Sequence, residues 1–179
     1  NLRNSIIPFL HLINSRFKIP MLIVSHDLPD LLSLTNNLML LKNGKVKTQG
    51  KFQDLILDES NVDIMKGAGL YNVFNMYVSA TLPNNNMMLL ENDQNNFRVQ
   101  ALCQPSIEEM KSGRQTKVLI RPEDVSIALQ PVDQISLRNQ IEGTIQKIFS
   151  KDGFWFCLVD AGEKILVELV GEGNITEYN

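Results

Sequence analysis

Cysteine is scarce in this chain: 179 residues carry only Cys103 and Cys157. They lie too far apart for a CxxC pair and are too few for a disulfide-stapled secreted scaffold, so both are read as thiols in a reducing compartment. No apolar run approaches the roughly 18 residues that a membrane span requires. The opening "NLRNSIIPF" lacks the basic head, apolar middle and small-residue cleavage site of a signal peptide. These absences predict a cytoplasmic chain, and a start at Asn1 rather than Met predicts a piece of a longer protein. Charge of one sign is also missing. A net charge of −3 and a pI near 5.4 leave no basic stripe, which argues against nucleic acid as a partner. Histidine occurs twice, at His11 and His26, with no HxxxH or Cys/His cluster around either, so no metal centre is expected.

What is present is an ordinary globular composition, 44% hydrophobic and 21% charged, long enough for two small domains. Leu2, Ile6, Phe9, Leu10, Ile13 and Phe17 recur at spacings of three and four, which predicts a helix with one buried face and an awkward Pro8. "KIPMLIVS" is a continuous apolar run, as in a strand covered on both faces of a parallel sheet. "LPDLLSL" follows as a short helix, with Asp27 placed to cap it and Pro29 in its first turn. "NLMLLKNGKVKTQG" predicts a hairpin turning at Asn43 and Gly44, and "KFQDLILDE" a closing helix.

Between about Ser60 and Tyr71 the periodicity fades and glycines enter, which places a linker at residues 61–71 between a first domain, 1–60, and a second, 72–179. The second half is a succession of short strands: "VFNMYVSATL", "NNMMLLEN", "NFRVQALC", "TKVLIRPEDVSIAL", "GTIQKIF", "FWFCLVDA" and "KILVELV". Turn formers at Pro83 and Asn84, Asn95 and Asn96, Pro122, and Asp152 and Gly153 separate them. This spacing points to a small sandwich or a barrel of the oligonucleotide/oligosaccharide-binding (OB) type. Phe154, Trp155 and Phe156 could form a base-stacking platform on such a barrel, but without interleaved basic residues alternating strand burial is the plainer reading. The paired acids Glu108 and Glu109, and Glu123 and Asp124, fit turns and helix starts.

His26 stands at the carboxyl end of an apolar strand, where open α/β sheets bind ligands. From the residues alone the plainer reading is a cap that bonds a neighbouring carbonyl, and no nucleophile elbow surrounds "VSHD". The order of helix, "IPMLIVSHD", short helix and "NLMLLKNGKVKTQG" resembles the C-terminal end of the ATPase domain of ABC transporters. That resemblance implies a switch-loop role for His26, touching the γ-phosphate of ATP and helping to position the attacking water. It also implies ATP with magnesium as the cofactors of the intact protein. The chain departs from the family in carrying no GxxxxGK[ST] loop, no LSGGQ-like signature and no apolar strand ending in Asp-Glu. On its own it is therefore expected neither to hold ATP tightly nor to hydrolyse it.

A second resemblance covers the strand-rich half. "VLIRPEDVSIALQPVDQISLRNQIEGTI" is similar to the accessory TOBE domain of importer ATPases, and "SLRN" to the SxRN segment of its molybdate-binding form. By that resemblance Ser136, Arg138 and Asn139 are the oxyanion-binding residues, and molybdate is a possible regulatory ligand. The chemistry suits a tetrahedral dianion, with a hydroxyl, a guanidinium fork and an amide as donors. Without the resemblance, the same tetrapeptide reads as a solvated loop. Related modules continue past "VELVGEGNITEYN" with a further strand, so the C-terminal domain is expected to be truncated.

These observations together predict an α/β fragment, the C-terminal part of an ABC ATPase domain, followed by an all-β OB-like TOBE domain. The implied function is that of the ATP-hydrolysing subunit of a molybdate or tungstate importer. It would be homodimeric through both domains, paired with integral-membrane permease subunits, and peripheral to the inner face of the membrane. The rival readings are a stand-alone oxyanion-binding or storage module without ATPase activity, and an importer ATPase for sulfate, a sugar or a polyamine.

Overall fold

The three- and four-residue spacing at the N-terminus produces helix α1 (Leu2–Phe17), with Pro8 inside it, in a computed structural model that describes residues 2–82, 86–93, 97–102 and 112–170. Its apolar stripe does not become a buried face. Ile6, Phe9 and Phe17 are exposed, and Leu10 and Ile13 are half-buried, because the short helix that follows meets only part of the stripe. A larger correction concerns residues 19–25. The expected strand does not form, and the segment runs without ladder partners, with Leu22 at 90% and Val24 at 83% exposure. A strand destined for burial on both faces needs neighbours on both edges, and the first unit supplies none.

Helix α2 (Leu28–Leu34) follows as its capping chemistry dictates. The Asp27 carboxylate accepts the Asp30 N–H at 3.1 Å, and Pro29 occupies the first turn, where its missing N–H is harmless. Strands β1 (Asn37–Lys42) and β2 (Lys45–Lys51) pair antiparallel about Asn43 and Gly44, both at positive φ (53° and 72°), the geometry of a primed hairpin turn. Helix α3 (Phe52–Leu57) closes the hairpin. Residues 61–71, expected to be a linker, are structured for most of their length. Asn61 ends a 3-10 turn (Glu59–Asn61), and helix α4 (Val62–Ala68) buries Val62 and Met65. The buried Asn61 amide donates to Leu55 O at 3.1 Å, and Lys42 Nζ meets Asp63 Oδ2 at 2.6 Å, so the segment belongs to the first unit. The division between compact units falls at Leu70/Tyr71.

The described residues of the second unit form two antiparallel sheets. One contains β3 (Asn72–Leu82), β4 (Met87–Glu91), β5 (Arg98–Leu102) and β6 (Gln115–Ile120) in the order β5-β4-β3-β6. The other is the meander β7 (Thr144–Lys151), β8 (Phe154–Asp160) and β9 (Lys164–Leu169). Alternation sends Phe74, Met76 and Val78 of β3, Met88 and Leu90 of β4 and Val99 of β5 into one core with Cys157, Ile165 and Val167. Phe156 is fully buried and Phe154 exposed, which settles the aromatic triplet as alternating strand residues.

Bulges bend both sheets. Val78 pairs with Leu90 and Ala80 with Leu89, leaving Ser79 unmatched, and the register of β7 on β8 likewise skips Gln146. Residues 116–129 are not one strand as expected. β6 stops at Ile120, and Pro122, which has no N–H to continue a ladder, opens a 3-10 turn (Pro122–Asp124). From there to Gly143 the chain forms no strand. The molecule is thus mixed α/β with a curled, β-rich C-terminal half, the fold class expected of an OB/TOBE-like domain after an ATPase fragment. The turns at Pro83 and Asn84 and at Asn95 and Asn96, Cys103, the Glu108 and Glu109 pair, and residues 171–179 lie outside the described residues. No helix among the described residues is long and apolar enough to cross a membrane.

Candidate functional site

The "SHD" turn is knit by its outer members. Ser25 Oγ accepts the Asp27 N–H at 3.0 Å, and Asp27 in turn caps α2, so the residue between them is turned outward. His26 is exposed, and among the described residues nothing hydrogen-bonds its ring. The carbonyl-bonding histidine is instead His11, whose Nε2 lies 2.6 Å from Ser33 O and ties α1 to α2. Beside that contact, His11, Asn14, Ser15, Met21 and Leu34 line an open groove of about 200 Å³. An outward imidazole can donate to a phosphoryl oxygen. No glycine-rich phosphate loop accompanies it in the chain. Among the described residues, no three His, Cys, Asp or Glu side chains converge to hold a metal ion. The residues present therefore do not fit a complete ATP and magnesium site.

The second candidate lies in the irregular segment between β6 and β7. The "IRPED" stretch that leads into it makes a corner. The Arg121 guanidinium sits 5.8 Å from the centre of the Tyr71 ring, and a hydrogen bond with Tyr71, then the charge of Glu123, holds it more firmly protonated. Farther on, Ser136, Arg138 and Asn139 are all exposed. Arg138 Nη1 approaches Met87 Sδ at 3.0 Å, and no carboxylate among the described residues pairs with it. Asn139 is more committed. Its Oδ1 accepts the Gln100 N–H at 2.7 Å, and its Nδ2 donates to Gln100 O at 3.0 Å, so its amide pairs with the open edge of β5 as a strand would.

Three neighbours of this segment were not picked out from the sequence: Met87 and Gln100 on the sheet, and Gln140. The Gln140 side chain pairs with both backbone groups of Val132, at 3.3 and 2.9 Å. Only the run of two amides after Arg138 hints at such a role, since contacts 39 or 51 residues apart leave no periodic signal.

No family model matches the chain. Curated relatives do. The molybdenum import ATP-binding protein ModC of Paramagnetospirillum magneticum is 26% identical over 149 residues, covering 83% of this chain and 39% of that protein. The protein of the same name from Escherichia coli K12 is 25% identical over 164 residues, covering 92% of this chain and 45% of its own length, and the Shigella flexneri protein matches to the same extent. The chain is homologous to the molybdenum import ATP-binding proteins. It spans about two fifths of the length of these relatives, and the match takes in both the unit that carries His26 and the unit that carries Arg138.

Proposed function

We propose that the chain is the C-terminal portion of the ATP-hydrolysing subunit of an ABC importer for molybdate or tungstate. The observation that carries the reading is homology to molybdenum import ATP-binding proteins along 83–92% of the chain. In this reading His26 contributes a γ-phosphate contact to an ATP site whose phosphate-cradling and magnesium-holding residues lie elsewhere in the protein. Phosphoryl transfer depends chiefly on positioning and charge stabilisation, both of which an exposed imidazole can serve. ATP would close two such subunits on each other and drive paired permease subunits at the inner face of the membrane.

The segment containing Ser136, Arg138 and Asn139 serves as an oxyanion-recognition loop in the accessory domain. That no carboxylate among the described residues pairs with Arg138 supports this role, since a guanidinium fork matches two oxygens of a tetrahedral anion. Anion occupancy there biases the dimer toward a resting state by differential affinity for its two conformations.

Three experiments test the reading. The coding sequence upstream of Asn1 is expected to encode a GxxxxGK[ST] loop, a signature segment and an apolar strand ending in Asp-Glu; an immediate start codon would point to a stand-alone oxyanion module. Titration calorimetry is expected to show molybdate and tungstate binding in preference to sulfate, and heat with sulfate alone would move the cargo to another class. If ATP hydrolysis by the intact transporter is indifferent to molybdate concentration, the regulatory role falls.

A further inference from the structure

Residues 132–140 form neither helix nor strand, yet they are tied down at two points by neighbouring side chains. Asn139 pairs with both backbone groups of Gln100 on β5, and Gln140 pairs with both backbone groups of Val132. The Asn139 amide reaches the sheet, and the next one, Gln140, closes the segment on itself. A primary amide carries the same donor and acceptor pair as a peptide group, so each side chain does the work of a strand partner. Ser136 and Arg138 lie within the closed loop, and the hydrogen-bond acceptor that Arg138 meets among the described residues is the thioether of Met87, a weak one.

We propose that Asn139 and Gln140 are positioning residues that hold the loop shut and present Ser136 and Arg138 to a tetrahedral oxyanion. This rests on the reading of the segment as an oxyanion-recognition loop. Asn139 spends its oxygen and one N–H on Gln100, and its contribution to affinity runs through the fixed loop. An unclamped loop would have to be ordered on binding, which costs affinity.

The test uses the whole 179-residue chain. Amide hydrogen exchange at Gln100 and Val132, the Arg138 Nε–H resonance and the molybdate dissociation constant are measured for wild type, Asn139→Ala, Gln140→Ala and Arg138→Ala. Asn139→Ala is expected to speed exchange at Gln100 about tenfold, and Gln140→Ala that at Val132 by a similar factor, as for loss of one protecting hydrogen bond. Both weaken molybdate binding about fivefold, yet reach the wild-type shift of the Arg138 resonance at saturation. Arg138→Ala abolishes binding and leaves both exchange rates unchanged.

The proposal is overturned if molybdate itself speeds exchange at Gln100, which would mean that the Asn139 amide has moved to the anion. Unchanged affinity in the two amide variants overturns it as well. If wild type takes up neither molybdate nor tungstate, the oxyanion reading itself fails, whatever the exchange rates show.

Discussion

Asn72 is the residue whose role was least visible in the sequence, where it opens an apolar run like any boundary asparagine. In the fold it is 3% exposed and fastens one sheet to the other. Its Nδ2 donates to Leu166 O at 2.8 Å and to Ile120 O at 3.3 Å, and its Oδ1 accepts the Leu166 N–H at 2.7 Å. Asn72→Ala leaves buried backbone groups of β9 without partners, at about 1–3 kcal/mol for each group stranded. Urea unfolding is expected to show at least that loss, and a midpoint equal to wild type would remove Asn72 from the account. Gly143 is a second such position. A Cβ built there stands 2.7 Å from Val159 Cγ1 and 3.0 Å from Asp160 O, so Gly143→Ala forces β7 away from β8. Overpacking of this kind costs about 1–3 kcal/mol, to be read as a lower melting temperature. His26 and Arg138 stood out as candidates for the opposite reason. Residue type and immediate neighbours marked them, and a linear sequence preserves both.

Among the elements, the hairpin at Asn43 and Gly44, the Asp27-capped α2 and most of the short strands of the second unit were readable, because each is specified by local turn, cap and alternation signals. The segment 19–25 and the outer face of α1 were not. Their sequences encode burial, and the partners that would bury them do not occur in the first unit. Helix α4 was missed because glycines at 67 and 69 masked the buried pair Val62 and Met65. The 3-10 turn before α4 carries a pH-sensitive contact. Hydrogen bonds from the Ser60 backbone and side chain hold the Asp58 carboxyl below its usual value of 3.8. A depressed folded-state pKa means that the contact contributes fully above the unfolded-state value and is lost as pH falls through the folded one. The Ser60 amide resonance should therefore stay constant near neutrality and move only below about pH 4. Asp58→Asn should remove that movement, and a titration centred near neutrality would contradict the assignment.

For the molecule as a whole, the exposed apolar surface of the first unit predicts concentration-dependent self-association. Sedimentation velocity of wild type should show it, and a Leu22→Lys, Val24→Lys double variant should sediment closer to monomer with little change in stability, because both side chains already face water. The second unit offers its own reporter. The Cys157 thiol is fully buried, and burial pushes its pKa up, so in a Cys103→Ser background it should react with a thiol reagent only as fast as the unit opens. Labelling at the rate of a free thiol would mean that the shared core of the two sheets is not closed.

The unmatched Ser79 in β3 also bears on which changes of chain length the molecule tolerates. Elsewhere in a paired strand, removing one residue exchanges its inward and outward side chains and turns the core face toward solvent. At this bulge the bookkeeping differs, since Val78 already opposes Leu90 and Ala80 already opposes Leu89. Excising Ser79 joins two pairs that are in step. The sheet would lose curvature and keep its register, so among single-residue deletions in β3 the one at Ser79 stands apart as a change of shape instead of a change of fold.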